Sequence, residues 1–238
     1  MNWELKSGVI IIGSLLWQDY LEREGDNIRL NWRNSNLDME NKIPVKVPIR
    51  YGRISEKSGI PTMIYSNRMK NRPGFGYVVP FHKIINNFEE LIQETVALSV
   101  AEGMKGNFVR SWGVLSYLFN ENKIDSNLKK EIIKIFRKRK NMNFNINDYK
   151  VSNEKSCITK SLKLDINWLQ SIDPPDSEKL NQFDFLIATA TKPQPNNRLL
   201  TMEDIANGVK FDKDRKYFIN NIVNGIITQE DFEISKRL

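Results

Sequence analysis

Thiols and imidazoles are almost missing from this chain of 238 residues: it has one cysteine, Cys157, and one histidine, His82. A lone cysteine closes no intrachain disulfide, and these counts supply neither a paired-thiol redox centre nor a Cys- or His-rich zinc site. A Ser-His-Asp triad would have to use His82, which sits between Phe81 and Lys83 at a strand end with nothing nearby to support it. His82 therefore reads as an ordinary surface or loop residue, and Cys157, in a polar stretch, as an ordinary thiol. Long apolar runs are absent too. Stretches such as Val9 to Ile12 fall far short of the roughly 20 residues that span a bilayer. No Walker lysine motif occurs, and no G-x-G-x-x-G follows a strand, so nucleotide binding by those routes has no basis. The first residues, with Glu4 beside Lys6, show no signal-peptide pattern. The expectation is a cytoplasmic protein of a reducing compartment, with no membrane segment, metal or cofactor.

What the chain does have is length for a substantial core and a net charge of +7. The charge is local. Lys123 to Lys140 holds eight basic residues against two acidic ones, and the rest of the chain is nearly balanced. Within it, K-K-E-I-I-K-I-F-R-K-R-K (Lys129 to Lys140) sets Ile132, Ile133 and Phe136 on one stripe and cations on the other side. Three readings are open: the solvated face of a packed helix, attraction to a phosphate backbone, or an interfacial helix.

Gly8 to Leu16 reads as a buried β-branched strand that breaks at Gly13-Ser14. A strand over Lys42 to Ser55, a turn at Lys57-Ser58-Gly59 and a strand over Thr62 to Ser66 suggest antiparallel pairing. Tyr77 to Phe81 is a further strand. Asn86-Asn87 opens a helix with Glu89 and Glu90 in its first turn, and Gly103 stops it. Trp112, Tyr117 and Phe119 read as core, although aromatics there could also wall a pocket. Asn120 to Lys160, with a helix over Ser126 to Lys138, reads as a surface insertion in a single domain. Ile187 to Thr191 is a late strand, Lys192 to Arg198 a turn, and Thr201 a helix N-cap before two short terminal helices. Strands early and helices late favour an α+β fold.

At about 100° per residue, Glu102 shares a sector with Phe88, Leu91 and Thr95, so its carboxylate lies on the apolar face. The negative end of the helix dipole and partial desolvation both favour its protonated form, which suits general acid and base work. The alternative is a frayed last-turn Glu in solvent. At Gly13-Ser14, successive backbone N–H groups at the strand end can cradle an anion, or can form an ordinary turn.

The run Gly8-Val9-Ile10-Ile11-Ile12-Gly13-Ser14-Leu15-Leu16-Trp17, with Glu102-Gly103-Met104 downstream, resembles the gamma-glutamylcyclotransferase-like superfamily, in its bacterial G-S-L-[IL]-W subgroup. Pro48 to Ser55 with Thr62-Met63-Ile64 is similar to the strand pair that carries R-x-S in that subgroup. Ala188-Thr189-Ala190, Thr201 to Ala206 and Ile226-Ile227-Thr228 are similar to its closing strand and helices. The resemblance implies a small mixed β-barrel flanked by helices. It implies that Ile12, Gly13, Ser14, Leu15 and Leu16 hold the head of a γ-glutamyl substrate. Glu102 then matches the acid/base that drives cyclisation to 5-oxoproline, without metal. Arg53 and Ser55, on the matched strand, would meet a carboxylate, although an Arg on an alternating strand also suits a solvent-facing place. One departure stands out: Ile12 occupies the position where the family loop carries an aromatic residue. The competing reading is a non-catalytic module that holds a metabolite in the same pocket, or nucleic acid or a protein partner on the basic helix 126–140.

Overall fold

The computed structural model describes residues 3–21, 23–56, 58–140 and 144–238. In chain order the strands are β1 (Ser7–Ile11), β2 (Ile43–Val47), β3 (Ile49–Ile54), β4 (Pro61–Tyr65), β5 (Gly74–Pro80), β6 (Gly113–Phe119), β7 (Gln170–Ser171) and β8 (Phe185–Thr191). The helices are α1 (Ile28–Asn36), α2 (Phe88–Ala101), α3 (Ser126–Arg139), α4 (Pro174–Asn181), α5 (Met202–Phe211), α6 (Lys216–Val223) and α7 (Asp231–Ser235). The fold is mixed α+β. Every residue of β1 is buried, as its unalternating β-branched run requires. β1 pairs antiparallel with β5 and parallel with β8, at the centre of a six-stranded sheet of order β6-β8-β1-β5-β2-β7.

Among the described residues the sheet does not close into the barrel that the resemblance implies. The reason begins at Pro48. The expected Lys42 to Ser55 strand is divided there into β2, which stays in the large sheet, and β3, which pairs only with β4 in a separate hairpin. Proline has no N–H to give a ladder, and the Pro48 carbonyl instead accepts from the Ser66 amide at 2.9 Å. Of the expected turn Lys57-Ser58-Gly59, Lys57 lies outside the described residues; Gly59 takes a φ of +69°.

α1 is absent from the sequence reading because its buried face is Arg29, Trp32 and Arg33, two charges around one ring, which apolar periodicity cannot detect. In α3 the buried stripe is Leu128, Ile132 and Phe136, while Ile133 is only partly buried. Phe136 packs against Phe108 and Tyr117, with ring centroids 5.2 and 4.5 Å apart. The Lys- and Asn-rich region thus differs from a loose surface insertion: it contributes Tyr149, Val151, Cys157 and Ile158 to the buried interior as well. Burial pushes the Cys157 thiol up to about 12, which leaves it protonated and unreactive at neutral pH. Tyr117 and Phe119 are core residues, as expected. Among the described residues no helix is long and apolar enough to cross a membrane.

Candidate functional site

β1 ends at Ile11, three residues before a single turn of 3-10 helix at Ser14–Leu16. Leu16 and Trp17 donate back to the carbonyls of Gly13 and Ser14, but the N–H groups of Gly13, Ser14 and Leu15 make no such donation among the described residues. Leading amides of a helical turn are free for an outside acceptor by construction. Gly13 is extended (φ −169°), so its lack of a side chain is needed for space and not for conformation. A Cβ there would lie 2.9 Å from the Tyr217 hydroxyl.

Glu102 follows the last residue of α2. Asn87 caps α2 by accepting from the Glu90 amide, as expected, and the helix ends with the amides of Gly103 and Met104 donating to the carbonyls of Val100 and Ser99. This paired closure requires the positive φ of Gly103, +77°. Glu102 is therefore the cap residue of a closed helix end and is not frayed. Its side chain is 16 % exposed.

A guanidinium joins the two pieces. Arg29 of α1 donates from Nη2 to Glu102 Oε2 at 3.3 Å and from Nη1 to Ser14 Oγ and Gln18 Oε1 at 2.8 Å each. Its Nε donates to the Ala101 carbonyl at 3.1 Å. One turn further, Arg33 Nη1 donates to the carbonyls of Leu15 and Gln18 at 2.9 and 2.8 Å, and its Nη2 pairs with Asp19. The loop is thus held by two arginines at i and i+4 on one helix. Arg29 also sets a cation against Glu102, so the helix end and burial do not act on that carboxylate alone.

Glu102, Ile12, Gly13, Ser14 and Leu15 line one cavity of about 520 Å3 with Arg53 and Ser55. Leu16 is the exception among the expected site residues. It is buried in the apolar core and does not line the cavity, because the 3-10 turn directs it inward. Arg53 reaches the cavity for a reason alternation cannot supply. Between Tyr51 and Arg53 the hairpin register slips by one, with Gly52 the extra residue, and such bulges re-aim the side chains that follow. The Lys192 to Arg198 segment then covers the strand: the Gln194 amide donates to the Gly52 carbonyl, and the Ile54 amide donates to Gln194 Oε1, both at 2.8 Å. Arg53 is left 8 % exposed.

Tyr217, Thr189 and Thr191 are among the lining residues that escaped the sequence reading. Tyr217, from α6, brings a ring and a hydroxyl to the loop, and burial pushes its phenol above the usual range. Trp17, the last residue of the loop motif, packs edge-on to Tyr217 and donates to Asn221 Oδ1 at 2.9 Å, so α6 clamps the loop. Trp112 is only partly buried and walls the cavity, the alternative that stood beside its core assignment. Thr189 and Thr191 lie on one face of β8, and the Thr189 hydroxyl is buried without a hydrogen-bond partner among the described residues. The strand alternation of Ala188-Thr189-Ala190-Thr191 was the available signal for those threonines.

Chemically, the cavity combines the Glu102 carboxylate, two guanidinium groups, strand-end amides and hydroxyls from different elements. Among the described residues no group of three or more His, Cys, Asp or Glu side chains is placed to hold a metal ion. Exposed His82 lies elsewhere, at a surface hollow beside Phe81 and Lys83. Comparison with family models, with curated proteins and with solved structures finds no match for this chain.

Proposed function

We propose that this chain is an enzyme of the gamma-glutamylcyclotransferase-like class, with the barrel-type fold of that class in an opened form. Its particular activity in this reading is cleavage of a γ-glutamyl or similar amide by intramolecular cyclisation, releasing 5-oxoproline and an amine. The observation that carries the reading is that Glu102 and the Gly13-Ser14-Leu15 turn line one cavity and share a single guanidinium, Arg29.

In the reaction, the glutamyl head is held by the strand-end amides, whose N–H groups donate to its α-carboxylate. Glu102 takes a proton from the substrate α-ammonium. The freed amine attacks the substrate's own γ-carbonyl carbon, and the new C–N bond closes the five-membered ring. Glu102 returns its proton to the departing nitrogen as the old amide bond breaks, and the extra proton of the ring nitrogen passes to the released amine, which leaves as an ammonium. Because nucleophile and electrophile belong to one molecule, holding that molecule folded supplies much of the rate. Arg29 keeps Glu102 and Ser14 in fixed relation.

Glu102→Gln keeps the hydrogen-bonding shape and removes the proton exchange. The expected outcome is loss of 5-oxoproline release from a panel of γ-glutamyl amines and peptides by at least about 100-fold, the scale of general acid–base catalysis. Retained release by a folded variant removes Glu102 from the mechanism. A second reading is a binding module in the same cavity, favoured by Ile12 in the aromatic position and by the Arg29–Glu102 ion pair. It is distinguished by a ligand that binds wild-type protein and is recovered unchanged.

A further inference from the structure

The helix α6 has two faces. Toward the loop it presents Tyr217 and Asn221, four residues apart: the first lines the cavity and the second accepts from Trp17. Ile219 and Val223, also four apart, are rotated from that pair by about 200° and lie on the outer side. They are 46 % and 75 % exposed, and Phe232 of α7 is 69 % exposed. Single exposed apolar side chains are ordinary on a protein surface, but a group of them around a hollow marks an interaction site.

The hollow is a groove of about 290 Å3, lined by Phe218, Ile219, Ile222 and Val223 of α6 with Ser235 and Leu238. Its floor is fixed, because Phe218 is buried against Tyr51 with ring centroids 6.0 Å apart. Arg215 donates to the Leu238 carbonyl at 2.7 Å and ties the chain beyond α7 to the start of α6. Phe232 lies one helical turn before Ser235 on the same side of α7, so it stands at the edge of the groove without lining it. The rim carries both signs: Glu233 pairs with Lys236 and Arg237 at 2.8 and 3.6 Å, and Lys216 opens α6.

We infer that this face docks a second copy of the chain across a two-fold axis, with Phe232 of each protomer seated in the groove of the other. In an isologous contact the projecting group and the hollow that takes it must belong to one patch, and here they do. Mixed charge on the rim lets Glu233 of one protomer meet a cation of its partner, whereas a rim of one sign, such as the basic face of α3, repels its own copy. A lipid surface would take up the exposed side chains and leave the groove unfilled. The groove and the three side chains form an apolar core within a polar rim, the anatomy of a standard interface of about 800 Å2 per partner. Docking there holds α6 from the side opposite the cavity, so the dimer braces the helix that clamps the loop.

The test is sedimentation equilibrium of the full chain over about 1–200 μM, since a modest apolar interface of this kind has a Kd of about 1–100 μM. We expect a monomer–dimer equilibrium. Phe232→Ala should weaken it about 30-fold or more, as the loss of a central aromatic anchor does, and Val223→Glu should abolish it. Lys138→Glu, on α3, should leave it unchanged. All three side chains are exposed, so the variants keep the fold, which circular dichroism checks. Linkage gives a second readout: the urea midpoint of wild-type protein should rise with protein concentration, and that of Val223→Glu should not. A monomer throughout the range, or a dimer indifferent to both Phe232→Ala and Val223→Glu, overturns the inference. So does a monomer that co-sediments with phosphatidylserine vesicles, which would assign the face to a lipid surface. None of these results bears on 5-oxoproline release, which Glu102→Gln tests separately.

Discussion

At the scale of single residues, Gly13 and Tyr217 form the tightest test of how the loop is held. The glycine does not need a left-handed backbone, so among the described residues the obstacle to alanine is the Tyr217 hydroxyl 2.9 Å from the added Cβ; the next ring atom lies at 4.0 Å, ordinary contact. Gly13→Ala should cost about 1–3 kcal/mol, the usual penalty for overpacking. Removing only the hydroxyl, by Tyr217→Phe, should relieve most of it. Urea unfolding of both single variants and the double variant closes a thermodynamic cycle, and additive effects would show that the ring does not bear on the loop. The residues of the site differ in how far they were legible. Glu102 was visible because its helix has a capped start and a glycine stop close in sequence. Arg29 was not, because its partners Ser14 and Glu102 lie 15 and 73 residues away.

At the scale of elements, α3 decides what the basic segment is. Ile132 is fully buried, and Leu128 and Phe136 flank it one turn away on the same side. Several of its cations are already engaged: Lys129 and Lys134 pair with Glu121 and Glu131, and Arg139 lies 5.3 Å from the Phe108 ring centroid. The helix is a packed element with a solvated face. Ile132→Ala should cost about 2–5 kcal/mol, whereas Lys138→Glu on the exposed face should stay within about 0.5 kcal/mol. Denaturant midpoints check both. Should nucleic acid bind here, its affinity must fall steeply with salt and with charge reversal at Arg137, Lys138 and Arg139. Why α3 was foreseen and α1 was not follows from their faces. The first hides apolar residues at helical spacing, and the second hides arginines that periodicity assigns to solvent.

At the scale of the whole molecule, the buried phenols make alkaline pH the sensitive direction. Desolvation raises Tyr51, Tyr65, Tyr117, Tyr149 and Tyr217 above their ordinary value. A group raised in the folded state contributes stability that is complete below its unfolded value and is lost as pH climbs from there. Stability should thus start to decline above about pH 8.5, where the thiol of Cys157 ionises in the unfolded chain, and fall more steeply above about pH 10, with these phenols ionising together at unfolding. Ultraviolet titration compared with circular dichroism measures this. Smooth phenolate formation in a protein that stays folded would contradict it.

The order of residues along the chain was sufficient, on its own, for the buried first strand, its break at Gly13, the capped helix ending at Gly103 and the α+β class. Each depends on hydrogen-bonding and apolar patterns that repeat within a few residues. The tertiary structure alone decided that the sheet stays open, with Pro48 sending one continuous-looking strand into two partners. It alone decided that a bulge turns Arg53 inward, that Tyr217 closes over the loop from far along the chain, and that Arg29 ties Glu102 to Ser14. Those are juxtapositions of distant segments, and they follow from the path of the chain through space, which no local periodicity encodes.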